Sequence, residues 1–516
     1  MRRITQSQSF TLLTKLLRVL FVVFLLGVFI YQLDTSPPLW FDEGWTLNTA
    51  KNWVEHGHYG QFLNGAPRSA GLSGHFPVVA SVALSFKLFG VGVWQGRLPI
   101  VLYTLGAFVF IYILASRLFD HTVALITITV LLFMTGGPWP FYNPIIFGRQ
   151  VLGEMPAILF LLAGYTALLS ALRGSKWALL MSAVFFGIAL RTKGQVWPFW
   201  TASLVIPGLI AILKKWRRQA IVLLLAFGGA WIVSQLIFCI QDLVVGDLIP
   251  GESAVGIYSI SAFMPVMGAR IRAIKMILQI GLPTIVGVGF TAWLALRHLK
   301  VTEQAKDAVI IRLVLLLFVG SWMGWYVVMG MWWSRYLVVP IFIGSIFVAD
   351  LLRNLFSRTH SEQIEVNNLF RHFISWQTLK LVFGVFLIFT TLPYSLLSYY
   401  GAFTSPDGTH LNDVVDYLNT QTPPDSLVET YESELFFQLD RRYHYPPNRL
   451  SVDLTRLIEY GIDVPIEYDP LSADPDYLVL GPMSDLWGIY DEVLGEGEFR
   501  LLQEFSRYQV YARVRE

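Results

Sequence analysis

Long apolar runs separated by short polar turns dominate the chain from its beginning to about residue 400. A helix needs roughly 17 to 25 apolar residues to cross hydrocarbon. Runs near that length occur at about 15–34, 98–116, 121–138, 152–172, 176–191, 195–213, 219–241, 272–296, 308–331, 336–352 and 378–400. The pattern predicts about eleven transmembrane helices. Another apolar stretch, FPVVASVALSFKLFG at 76–90, is shorter and runs into glycines, so it reads as an interfacial or re-entrant helix. After residue 401 the pattern changes. A helix-like opening, HLNDVVDYLNTQ, precedes the strand-like runs DSLVETYES, DYLVLGP and YQVYARV. The expected fold class is mainly α: a polytopic helical membrane protein (1–401) with interfacial helices and a small C-terminal extracytoplasmic α/β domain (402–516).

Composition and charge agree with that class. Of the 516 residues, 54% are hydrophobic and only 14% charged, which excludes an ordinary soluble protein. Cytoplasmic loops carry the excess of Lys and Arg. Arg2, Arg3, Lys15 and Arg18 precede the first run, and Arg117, Arg173, Lys176, Lys214, Lys215, Arg217 and Arg218 fall at successive turns on one side. That alternation puts the N-terminus inside and everything after about 401 outside. The first run is too long for a cleaved signal peptide and lacks a small-residue cleavage site, so it reads as an anchor. The chain has a single cysteine, Cys239, which excludes an intramolecular disulfide and a thiolate metal cluster. The net charge is +2 without a basic stripe, which argues against nucleic-acid binding, and no Walker-type glycine loop is present. The expected location is an integral, multi-pass protein of the plasma (inner) membrane.

The candidate chemistry lies on the outer side. In PLWFDEGWTLNTAKNWVEHG, Asp42 and Glu43 follow the first span almost at once, crowded by Trp40, Phe41 and Trp45. Partial desolvation would suit one of them to acid/base work. An interfacial helix capped by Asp42 and anchored by its tryptophans is the plainer reading. The same side carries Arg68 and His75 in the first loop, Arg149 and Glu154 in FGRQVLGEMPA, Arg191 and Lys193 in LRTKGQVWP, and Arg335 and Tyr336 in WWSRYLVVP. Each has a structural alternative, such as snorkelling, pairing or an aromatic girdle. Ionisable groups drawn from several separated spans nevertheless usually face a common cavity. Carboxylates beside fixed cations suit group transfer from a lipid phosphate: the cations hold the phosphate and a carboxylate takes the acceptor's proton. A transporter or flippase of a lipid-linked solute is the alternative, but such proteins place ionisable residues near the midplane and show repeated halves. Neither is evident here.

The order WFDEGW, GHFPVVASVALSFKLFG with GRLP, GRQVLGEMPA, RTKGQVWP and SRYLVVP resembles the GT-C membrane glycosyltransferases, in particular the branch of protein O-mannosyltransferases and lipid A aminoarabinose transferases. The resemblance spans most of the membrane region. It implies a polyprenyl-phosphate-linked sugar as donor and a hydroxyl of a protein, lipid or glycan as acceptor. It also implies inverting transfer at the extracytoplasmic surface, within the membrane lipids. By the same similarity Asp42 looks like the general base, Glu154 like the second acidic residue of the site, and Arg191, Lys193 and Arg335 like donor-phosphate contacts; Glu43 is a further catalytic candidate, and Arg149 and Tyr336 are further candidates for the donor phosphate. Arg68 and His75 are further substrate contacts. His75-Phe76-Pro77 stands where relatives have His-Pro-Pro or Lys-Pro-Pro, and Glu154 stands where many have Asp. No cofactor is firmly indicated; a divalent metal between carboxylates and phosphate fits the residue types without being required. The C-terminal domain is expected to act as a lid or to recognise the acceptor through Tyr443 and Tyr445. The loop at about 242–271, with Pro250, Gly251 and Tyr258, is expected to close over substrate.

Overall fold

The computed structural model describes residues 23, 25–134, 143–246, 262–297, 306–357, 376–404 and 407–515. The outer segment with the first acidic pair forms helix α1 (Phe41–His56), because Pro37 and Pro38 forbid helix upstream and Gly57, at φ 69°, ends it in a left-handed turn. A small hairpin follows, β1 (Gln61–Leu63) against β2 (Ala66–Arg68). The bundle is then α2 (Phe76–Phe89), α3 (Val93–Leu118), α4 (His121–Phe133), α5 (Glu154–Leu172), α6 (Lys176–Thr192), α7 (Val196–Leu213) and α8 (Arg217–Val245). It continues through α9, a single rod made of Met267–Met276, a π turn at Ile277–Gly281 and Leu282–Arg297. It closes with α10 (Lys306–Val328), α11 (Val338–Phe356) and α12 (Trp376–Thr404).

Eight of these described helices are long and apolar enough to cross a membrane: α3, α5, α7, α8, α9, α10, α11 with its preceding turn, and α12. Two of the expected crossings are shorter: α4 has 13 residues, since its helix stops at Phe133, and α6 has 17. The run at 15–34 lies partly outside the described residues, and so do the tip of the 242–271 loop, with Pro250, Gly251 and Tyr258, and nearly all of the polar loop at 357–375. The stretch at 76–90 is a helix of 14 residues, too short to span. Helices α5 and α11 run through the middle of the bundle with most of their surface buried, whereas α8 and α12 expose apolar sides at the perimeter. That distribution is expected where lipid rather than water is the outer solvent.

The C-terminal part folds on α13 (Asp407–Gln421) and a five-stranded mixed sheet of order β4-β3-β5-β7-β6. Strand β3 (Leu427–Thr430) lies parallel to β4 (Arg442–His444) and β5 (Tyr477–Leu480). Strand β7 (Tyr508–Arg513) runs antiparallel to β5 and to β6 (Phe499–Phe505). Between β3 and β4 sits the one-turn helix α14 (Ser433–Phe436), and after β4 comes α15 (Asn448–Tyr460). The predicted strand runs appear as β3, β5 and β7; β4 and β6 carried too short or too polar a pattern to stand out.

This sheet does not keep its core to itself. Phe41 and Trp45 of α1 are buried among Tyr431, Phe436, Tyr443 and Tyr445. The approach is close: Ser433 Oγ donates to the Phe41 carbonyl at 2.5 Å, and a Cβ on Gly44 would stand 2.1 Å from the Ser433 carbonyl oxygen. The Asn48 amide donates to Tyr443 Oη at 2.7 Å, and Lys51 Nζ to the Phe437 carbonyl at 3.1 Å. Tyr443 and Tyr445 are therefore core residues that weld the sheet to α1, and neither is the exposed acceptor contact expected from their type.

Candidate active site

Asp42 and Glu43 are adjacent on the first turn of α1 and point to different surroundings. Glu43 is fully buried. Its Oε1 accepts from Arg97 Nε (3.0 Å) and from the Val151 amide (2.8 Å), and its Oε2 accepts from Arg97 Nη2 (2.8 Å) and the Trp40 amide (3.2 Å). Arg97, in the first turns of α3, is itself fully buried and also donates to the carbonyls of Leu33 (3.1 Å) and Pro37 (2.8 Å). This fork-to-fork pair ties α1, α3, the chain entering α1 and the Arg149–Leu152 turn into one block. Sequence reasoning met Arg97 only as part of the GRLP element, just ahead of the run at 98–116, and gave it no role.

Asp42, one residue earlier, faces outward from that block, with 23% of its side chain exposed. Its Oδ2 accepts from the Trp40 indole Nε1 at 3.1 Å and is paired with Arg335 Nη1. Arg335 lies on the 3₁₀ turn Ser334–Leu337 that opens α11, and its Nε stands 3.4 Å from Glu154 Oε1. Glu154 is the first residue of α5. Its Oε1 also holds Lys193 Nζ, while its Oε2 is buried without a hydrogen-bond partner. Gly153 eases that meeting: a Cβ there would stand 3.0 Å from the Thr192 carbonyl oxygen, a tight contact between the head of α5 and the end of α6. Asp42, Arg335, Glu154 and Lys193 thus form a continuous chain of alternating charge, drawn from four elements, at the end of the bundle on which the sheet is docked.

His75, which heads α2, closes one side of this chain. Its Nε2 accepts from the Gly194 amide at 3.4 Å, which places the ring proton on Nδ1. Burial, then the charges of Lys193 and Arg191, push its pKa down to about 4, which favours the neutral imidazole. Lys193 is shifted downward as well, mainly by burial, with Glu154 opposing that shift. Tyr336 is buried beside Trp333 (ring centroids 6.0 Å apart) and Trp325 (6.0 Å), with the Arg335 guanidinium 5.8 Å from its ring.

The remaining sequence-predicted residues lie apart. Arg149 donates to the Tyr31 carbonyl and stacks 5.2 Å over Phe403, beyond the Glu43–Arg97 pair. Arg191 turns toward α8, where it lies 4.9 Å over Phe238 and donates to Gln241 Oε1 at 3.2 Å. Arg68 is on the exposed strand β2, opposite Gln61. Among the described residues no group of three or more His, Cys, Asp or Glu side chains is arranged to hold a metal ion. The space between Asp42 and Glu154 is taken by Arg335.

The architecture has known counterparts. ArnT from Cupriavidus metallidurans bound to undecaprenyl phosphate superposes with a TM-score of 0.60 at 16% identity, over 96% of this chain and 98% of that one. The chain has a GT-C glycosyltransferase fold of the ArnT type. The apo form of the same ArnT gives a TM-score of 0.57 at 16% identity over 97% and 98% of the two chains. The apo oligosaccharyltransferase of Archaeoglobus fulgidus gives 0.54 at 12% identity, over 97% of this chain and 74% of that one. A family model described as dolichyl-phosphate-mannose-protein mannosyltransferase matches residues 75–238. That segment of the GT-C fold begins at His75 and contains Arg97, Glu154 and Lys193. No curated protein sequence matches the chain.

Proposed function

We propose that this protein transfers a sugar from a polyprenyl-phosphate monosaccharide to an acceptor hydroxyl at the extracytoplasmic membrane surface, with inversion and with Asp42 as general base. The observation that carries the reading is the alternating chain Asp42–Arg335–Glu154–Lys193, in which a partly exposed carboxylate and two cations share one small site. A binding surface for a neutral solute has no use for that arrangement, and phosphate-leaving chemistry has. The matched family and the ArnT-type fold support a lipid-linked donor. The outward side is supported by charge: Arg117, Arg173, Lys176, Lys214, Lys215, Arg217 and Arg218 all fall at the opposite end of the helices.

In the proposed reaction the donor phosphate takes up the Nη donors of Arg335 and the Lys193 ammonium, exchanging a carboxylate partner for a phosphate one. Asp42, released from Arg335 but still held by the Trp40 indole, accepts the acceptor's proton as its oxygen attacks the anomeric carbon. The carbon–oxygen bond to phosphate breaks, and the second negative charge that appears on the leaving polyprenyl phosphate is stabilised by the same two cations. Glu154 stays buried and holds both cations in place. Glu43 positions α1 through Arg97 and takes no part in the proton transfer. The reading uses no metal. The acceptor class, whether protein, lipid or glycan, follows from no single contact.

The test is transfer of radiolabelled sugar from a panel of polyprenyl-phosphate sugars into membrane acceptors, with EDTA present. Wild type is expected to move label from lipid to product. Asp42→Asn is expected to lose roughly 10² to 10⁴-fold in kcat with donor binding retained. Saturable lipid binding without transfer by wild type would favour the flippase reading, and full activity of Asp42→Asn would remove Asp42 as base.

A further inference from the structure

The C-terminal sheet touches the bundle at a second place, away from α1. Glu459, near the end of α15, is paired with Arg272 at the head of α9 and accepts from the Trp332 indole at 3.2 Å. Its neighbour Tyr460 donates to the Phe263 carbonyl at 2.7 Å. The end of α15 is therefore fixed at the level of residues 263–272, where the span Met267–Ala295 begins.

At that level both partners expose apolar side chains. On α9 and its approach these are Phe263, Met267 and Ile271, on the perimeter of a span whose outer solvent is lipid. On the sheet side they are Leu457, Ile458 and Ile462. Gly461, at φ 62°, ends α15 with its amide bonded to Leu457 and the Ile462 amide bonded to Arg456, a closure that folds Ile462 back toward Leu457. Leu450, Val452 and Leu454 of the same helix are buried, whereas Leu457, Ile458 and Ile462 at its end are exposed. Arg456, one residue before the trio, is 45% exposed and paired with Asp453 at 3.5 Å.

We infer that the tip of α15, with Leu457, Ile458 and Ile462, is a membrane foot: it dips into the outer leaflet beside α9 and holds the sheet down over the site end of the bundle. Its occupant is the bilayer, because the Glu459–Arg272 and Tyr460–Phe263 contacts hold the patch beside the lipid-facing side of α9. An apolar helix tip of this kind seats about 5–10 Å into the headgroup boundary. The domain is thus pinned to the bundle at two places, the end of α15 and the α1–α14 junction.

The test uses single cysteines in a Cys239→Ser background: Ile458→Cys, Ile462→Cys and, on the far edge strand β6, Leu501→Cys, all at exposed positions. Each is labelled with an environment-sensitive fluorophore and reconstituted into phosphatidylcholine–phosphatidylglycerol vesicles with or without headgroup-proximal nitroxide lipids. Labels at 458 and 462 are expected to emit at shorter wavelength than the label at 501. They are also expected to be quenched several-fold more strongly by the nitroxide lipids and to be shielded from aqueous iodide. Equal lipid quenching at all three sites overturns the foot. Shielding from iodide that persists in detergent and scales with protein concentration also overturns it, in favour of contact with a second copy. Neither result depends on sugar transfer.

Discussion

The guanidinium of Arg335 is paired with the carboxylate of Asp42 across 293 residues of sequence, and its other edge faces Glu154. One planar fork thus spans both acids of the site. Lys at this position would keep the charge but present a single point donor on a flexible stem, unable to reach both carboxylates.

Arg335→Ala is expected to lower kcat/KM by roughly 10² to 10³-fold, the usual cost of removing one donor aimed at developing charge. Arg335→Lys should recover part of that loss. Steady-state transfer assays on both variants check the order, and equal activity of the Lys variant and wild type would contradict the bridging role.

Glu43 and Arg97 are fully buried and satisfy one another. Breaking such a pair from one side costs about 3 to 5 kcal/mol, because the surviving charge is stranded in a low-dielectric interior. Glu43→Gln and Arg97→Met should each lower the Tm of detergent-solubilised protein markedly. The Glu43→Met/Arg97→Met double variant should recover part of the loss, held back by the orphaned amides of Val151 and Trp40. A double variant no better than the worse single one would show that the block depends on the ions themselves.

His75 has its folded pKa at about 4, below its unfolded value of about 6.5, because burial and two neighbouring cations disfavour the imidazolium. A group depressed in this way stabilises the fold above the unfolded pKa, and that contribution is lost as pH falls toward 4. His75→Gln, which cannot titrate, should therefore gain Tm relative to wild type as pH drops from about 6.5 to 4. Thermal melts across that window read the difference. Parallel Tm curves for the two proteins would contradict a buried neutral imidazole.

Gly44 packs its Cα against the Ser433 carbonyl, with 2.1 Å left for a Cβ. In an isolated helix Gly→Ala is favourable by up to about 1 kcal/mol, but here the clash with backbone outweighs that gain. Gly44→Ala should lever α14 off α1, at a cost of about 1 to 3 kcal/mol, and expose the C-terminal domain to limited proteolysis. Digestion at the wild-type rate would mean that the junction yields without cost.

Much of the membrane architecture was legible because lipid imposes a simple rule: a long apolar run must be helical and must cross. Where the rule is met only in part, as in the 13-residue α4, the expected crossing shortened to a helix that composition alone does not place. The site was legible as a set and blurred in its members. Asp42, Glu154, Lys193, His75 and Arg335 meet, whereas Arg149, Arg191 and Arg68 lie on other faces, since residue type and loop position carry no direction. Tyr443 and Tyr445 show the same limit. An aromatic in a domain this small is more often core than contact, and here α1 supplies part of that core through Phe41 and Trp45.

What the chain determined by itself was its mainly helical, membrane-spanning class and the change to short strands after about residue 401, because these follow from local hydrophobic pattern. Only the tertiary structure decided which neighbouring carboxylate faces the site. Asp42 and Glu43 are adjacent and both acidic, but on a helix successive side chains point about 100° apart, so one meets Arg97 in the interior and the other Arg335 at the surface. That division of roles rests on where α3 and α11 stand around α1, and no stretch of sequence near residue 42 contains it.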